Sequence, residues 1–239
     1  MNKKYEFTEE TMDFMGITLH RIKSVCDFDG VRKGDIGGWI EKELNLSHSL
    51  NAWVFGDARI SGDARVFGDA SISGDAWVSG DARVCDDACV LGKACVFGDA
   101  WVSGKARVSG NASVFGDASI SGDARVFGKA SVFGNARVSG DASVCDDAAV
   151  RGLAVVKGNA AISQSVDYIC IGPIGSRSDY ITFTRSNGCV TAGCFHGPLA
   201  EFVKQVKKVH GNNEHARAYL ALVEYVKAMW EKIQEVLTR

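Results

Sequence analysis

Proline is nearly missing from this 239-residue chain, which has two prolines against 27 glycines. A chain so poor in proline can donate a backbone N–H at almost every residue, while glycine lets it turn through positive φ; the pairing suits stacked strands joined by frequent tight corners. No apolar run is long enough to span a bilayer, and the opening Met1-Asn2-Lys3-Lys4-Tyr5-Glu6-Phe7 leads into acidic residues rather than a secretion signal. A cytoplasmic protein without membrane contact is expected. Neither sign of charge dominates: 27 Lys and Arg against 29 Asp and Glu leave a net charge of −2, which offers no broad field for nucleic acid. The cysteines (Cys26, Cys85, Cys89, Cys95, Cys145, Cys170, Cys189 and Cys194) contain no Cys-x-x-Cys pair and read as reduced thiols rather than a disulfide framework. Histidine is absent between His48 and His196, so chemistry that needs an imidazole must draw it from the ends of the chain.

What is present is a repeat. From Ala52 onward the unit Ala-x-Val/Ile-x-Gly-x recurs every six residues, as in Ala58-Arg59-Ile60-Ser61-Gly62-Asp63 and Ala64-Arg65-Val66-Phe67-Gly68-Asp69, and runs to Ala160-Ala161-Ile162-Ser163. About nineteen units fit. Alternate residues of a strand face opposite sides, so alanine and its branched partner point inward and the residue between them faces water. Glycine followed by Asp, Asn or Lys marks each corner, and at the two corners without glycine, Asp86 and Asp146 supply a residue type that tolerates the left-handed conformation. Three units closing a triangular coil make 18 residues per turn; stacking at about 4.8 Å gives roughly six turns and a rod about 30 Å long. The expected fold is therefore mainly β, a triangular parallel β-solenoid.

This pattern resembles the hexapeptide-repeat superfamily, whose left-handed parallel β-helices include trimeric acyltransferases and the γ-class carbonic anhydrases. The resemblance covers about half the chain and implies the left-handed form. The run Val31-Arg32-Lys33-Gly34-Asp35-Ile36-Gly37-Gly38-Trp39-Ile40, followed by Asn45-Leu46-Ser47, is similar to the start of a family of bacterial and prophage hexapeptide proteins classed as transferases or left without a function. It implies a phage or mobile-element origin.

Three regions follow: an N-terminal cap over 1–45, the solenoid over 46–166 and an α+β module over 167–239. In the cap, Ile17, Leu19, Ile22 and Val25 suggest extended segments, with turns at 27–30 and 33–38. In the last region, 180–185 and 189–195, joined through Ser186-Asn187-Gly188, read as a β-hairpin, and Gly172-Pro173-Ile174-Gly175-Ser176-Arg177 reads as a turn. Pro198 opens a helix closed by Gly211, and Asn213 caps a second helix. On that helix Ala216, Tyr219, Val223, Val226, Trp230, Ile233 and Leu237 form a heptad seam, which packs either inside the subunit or against another one.

The superfamily's chemistry finds little purchase here. Acyl transfer needs a surface histidine to take a proton, and a γ-class anhydrase needs three histidines for its metal; both conflict with the histidine gap. Cys194 and His196 are the remaining catalytic candidates, as a nucleophile and base or as an ordinary edge pair. With 18 residues per coil, Asp63, Asp81, Asp99 and Asp117 stack at one corner, either as a calcium ladder or as a screened acidic edge. The same arithmetic stacks Phe97, Phe115 and Phe133. These three read as a surface aromatic stack, an interface or the wall of a small-molecule groove. With Tyr219, Val226 and Trp230, they are the candidate interface residues. The expectation is a non-catalytic oligomer, trimer or dimer, without cofactor, that binds or scaffolds a host protein or small molecule; the alternative is an acyltransferase using an acyl-coenzyme A donor.

Overall fold

The structure, a computed structural model, describes residues 3–237, with side chains of the last helix described as far as residue 231. The repeat builds a three-faced parallel solenoid. Residues eighteen apart pair between neighbouring coils, as Arg59 with Trp77, Trp77 with Cys95, and Cys95 with Ser113. One face is a seven-stranded sheet, another is six-stranded, and the third joins the N-terminal strands in a nine-stranded sheet. Every alanine and branched residue of the repeat, from Ala52 to Ile162, is buried in one continuous core. Each inward pair is small, so burial accrues by stacking coil on coil rather than within any hexapeptide. The corners turn on left-handed residues: Gly98 has φ 72°, and Asp86 and Asp146, where glycine is missing, have φ 57° and 56°.

Stacking leaves a polarity. The N–H groups on either side of each inward branched residue point to the following coil, as Trp77 donates to the Ala94 carbonyl and Ser79 to the Val96 carbonyl, so the last coil has spare N–H groups and the first has the carbonyls that would accept from a preceding coil. An unpaired buried backbone group costs about as much as a lost hydrogen bond, and each end is closed by the matching chemistry. At the first coil, the N–H groups of Trp39, Glu41 and Ser47 donate to Ala58, Ile60 and Val66. Asn45 Nδ2 serves the carbonyls of Gly62 and Ala64, and Lys4 Nζ those of Leu50 and Ala52. The cap that supplies these donors consists of antiparallel strands Tyr5–Phe14, Ile17–Ser24 and Ile36–Ile40, the last running parallel to the first solenoid strand of that face. Gly37 and Gly38, expected in a turn, lie in this strand instead. A Cβ on Gly37 would sit 2.6 Å from Ile22 Cγ1, and one on Gly38 2.5 Å from Val54 Cγ1, so their role is close approach rather than turning.

At the last coil the closing groups are acceptors. The N–H groups of Ala149, Arg151, Val155 and Ala161 donate to the hydroxyls of Ser165, Tyr168, Thr182 and Ser186, and that of Ser163 donates to the Asp167 carboxylate. The C-terminal sheet has four antiparallel strands, Tyr168–Ile174, Asp179–Thr184, Cys189–Ala192 and Phe195–Pro198, rather than the single expected hairpin. The two missed strands are edges carrying Pro173 and Pro198, residues that argue against a strand in sequence and are tolerated where no ladder partner is needed. Gly172, Pro173 and Ile174, expected in a turn, close the first of these strands.

One face of this sheet presents Thr182, Tyr168 and Cys170 to the solenoid, and the other presents Ile181, Phe183 and Val190 to two helices, α1 (Leu199–His210) and α2 (Glu214–Leu237). Gly211 ends α1 with φ 56° and an N–H donated to the Lys207 carbonyl, and Asn213 Oδ1 accepts the Ala216 N–H at the start of α2. The α2 seam packs within the subunit. Ala216, Val223 and Val226 are buried against Phe202, Val206 and the sheet, and Tyr219 and Trp230 are half-buried there. Val226, entered as an interface candidate, is thus core of its own chain. The side chains of Ile233 and Leu237 lie outside the described residues.

Candidate functional site

Phe97, Phe115 and Phe133 stack on one corner of the rod. Their ring centroids are 4.9 Å apart at each step and the planes are 1° from parallel. That spacing is the coil repeat itself, so the backbone register imposes the face-to-face stack that free aromatic pairs avoid. Strand pairing is also longer at this corner: Ser113–Gly116 and Ser131–Gly134 pair over four residues, including Phe115 with Phe133, where the other described solenoid strands pair over two. Phe97 ends the stack 37% exposed. Beside the rings, the adjoining face carries a column of small side chains, Cys95, Ser113, Ser131 and Ala149.

Asp81, Asp99 and Asp117 flank the rings at the same corner, exposed, while Asp63 pairs with Lys42 at 2.7 Å. Among the described residues no group of three or more His, Cys, Asp or Glu side chains is placed to hold a metal ion. Elsewhere on the rod, Arg107 and Arg125 pair between adjacent coils of the seven-stranded face, with Lys93 and Lys129 exposed at the corner that follows it and Lys105 and Asp123 at the corner before.

Cys194 and His196 go to different sides of the C-terminal sheet. Cys194 sits in the turn after Cys189–Ala192 and lines a groove against the helices. His196 faces the last coil: its Nδ1 lies 3.0 Å from Thr191 Oγ1, and its Nε2 is 3.0 Å from the position of a Cβ on Gly158. Burial, helped by the charge of Lys157, lowers its pKa. A nucleophile and base two residues apart would share a side only on an unbroken strand, and the turn at Gly193 (φ 57°) interrupts it.

Two outward positions are covered by tryptophans of the next coil. Trp101 lies over Cys85, its indole N–H 3.2 Å from Sγ, and Trp77 lies over Ser61 with an N–H to Oγ distance of 3.1 Å. Cys85, whose slot after the inward Val84 points outward, is consequently 2% exposed, and burial raises its pKa. The signal was available in the sequence: each covered residue precedes its tryptophan by sixteen, the diagonal neighbour in an 18-residue coil. Trp53, also expected outside, is buried by the cap residues Tyr5 and Phe28.

A family model described as YdcK Beta solenoid repeat matches residues 58–74, close to one full coil of the stack. This chain is a β-solenoid repeat protein. A search of curated proteins finds no match to it. The matched segment lies at the start of the β-solenoid, away from the phenylalanine ladder and the C-terminal sheet, so the likeness speaks for the coil and for neither surface. No helix among the described residues of the β-solenoid protein is long and apolar enough to cross a membrane.

Proposed function

We propose that this protein is a non-catalytic homo-oligomeric scaffold, a dimer or trimer, assembled through the edge that carries Phe97, Phe115 and Phe133. The parallel ring stack carries the reading. Those rings fill no part of the core, and an apolar ridge beside small side chains suits a close-packed contact with a second copy. Both ends of the rod are closed by hydrogen bonds, which leaves its sides for association. Charge supports a sideways contact in the trimer: Asp81, Asp99 and Asp117 border the ladder while Arg107 and Arg125 stack on another face, so a head-to-tail ring can join acid to base. Membership of the hexapeptide-repeat superfamily, a phage or prophage origin, a cytoplasmic setting and capture of a host component belong to the same proposal, on the resemblance of 31–47 and the repeat.

The acyltransferase alternative has weaker support, because its candidate imidazole, His196, is held by Thr191 and faces the last coil. Solution mass decides the main reading. Wild type is expected as a defined oligomer and Phe115→Asp as a smaller species with an unchanged circular dichroism spectrum. A wild-type monomer, or a variant of unchanged mass, would refute assembly through this edge.

A further inference from the structure

We infer that the groove between the C-terminal sheet and helices α1 and α2 binds a free α-amino acid with an apolar side chain. The groove has a volume of about 180 Å³ and an apolar floor made by Ile181, Ala192, Phe195, Phe202, Val206 and Tyr219. An apolar cavity of about 150 Å³ accommodates a benzene ring, so this space suits one isobutyl or benzyl group.

The head of the ligand is read at the rim. Gly193 is exposed, and the space that a Cβ would fill there is flanked by Arg177 Nη1 at 3.6 Å and Asp179 Oδ2 at 3.9 Å. Asp179 Oδ1 accepts the N–H of Tyr180 at 2.7 Å, leaving Oδ2 for a ligand. Among the described residues neither Arg177 nor Asp179 forms an ion pair. A guanidinium and a carboxylate that converge on one open point without pairing complement a zwitterion: the ligand carboxylate meets Arg177, its ammonium meets Asp179, and its side chain enters the groove. Both charges are exposed, so water competes and the dissociation constant is expected on the order of 0.1–1 mM. The site lies within one subunit and does not depend on the ladder.

Titration calorimetry of the full chain with L-phenylalanine and L-leucine tests this directly. Saturable binding is expected, with at least a tenfold loss for N-acetyl-L-phenylalanine, L-phenylalaninamide and glycine. Arg177→Ala and Asp179→Asn should each weaken L-phenylalanine by tenfold or more, and Gly193→Asn, which tolerates the left-handed backbone while filling the open point, should abolish binding. Phe115→Asp should bind as wild type does, so this site and the assembly edge fail separately. No saturable binding of either amino acid, equal binding of the blocked forms, or unchanged affinity in the Arg177 and Asp179 variants would overturn the inference.

Discussion

The hydroxyl of Thr182 accepts the backbone N–H of Val155 at 2.8 Å, so a side chain of the C-terminal sheet occupies the place that a further coil would fill. Thr182→Val keeps the shape and removes the acceptor. The N–H of Val155 is then buried without a partner, a loss of about 1–3 kcal/mol. Amide exchange should show this locally, with faster exchange at Val155 and unchanged protection in the middle coils; equal exchange at Val155 would deny the hydroxyl its capping role.

At the other end, Lys4 holds its ammonium 2.7 Å from the Ala52 carbonyl, and burial pulls its pKa from 10.5 down to about 8. Between those values the unfolded chain binds the proton more than the folded one, so stability rises with pH across the window and is lost as pH falls toward about 8. Burial raises the pKa of Tyr5, which works against this gain once pH exceeds the ordinary tyrosine value of 10.0. Burial also raises the pKa of the Cys85, Cys95, Cys145, Cys170 and Cys189 thiols, which lowers stability over the same range. In chemical denaturation between pH 8 and 9.5 the stability of wild type is therefore expected to rise relative to that of Lys4→Met, and parallel curves would count against a perturbed Lys4.

Glycine at the corners serves two purposes that substitution can separate. At Gly116 (φ 70°) a Cβ would stand 3.1 Å from the Gly134 nitrogen, whereas at Gly152 (φ 68°) it would meet nothing within 4 Å. Gly152→Ala carries only the left-handed strain of about 1–2 kcal/mol. Gly116→Ala adds crowding against the next coil and should cost clearly more in denaturant unfolding. Equal losses would mean that coil spacing relaxes freely at the corner.

Trp101 shields Cys85, and Trp101→Ala should expose the thiol while leaving the core pairs in place. Modification of Cys85 by a thiol reagent, followed by peptide mass, is expected to accelerate at least tenfold, with the already exposed Cys194 reacting as before. A rate unchanged at Cys85 would show that something other than the indole protects it.

The ladder could be read from residue numbers because an 18-residue coil turns sequence distance into position. The same rule, applied along the diagonal, would have placed Trp101 over Cys85. It had no means of placing Cys194 and His196, whose sides depend on a turn at Gly193 outside any repeat. Arg177, Asp179 and Gly193 carry no spacing that marks a site; they meet because two strands of the C-terminal sheet bring their ends together against a helix.

Sequence alone determined the coil length, the alanine and branched core, the left-handed corners and the columns on the outside, because each follows from a local pattern repeated without interruption. Only the tertiary structure decided which donors close the first coil, which hydroxyls close the last, that the α2 seam turns inward, and which outward residues lie under a neighbour. Those outcomes depend on single contacts between residues far apart in the chain, where packing and hydrogen-bond satisfaction choose among arrangements that the local pattern leaves equal.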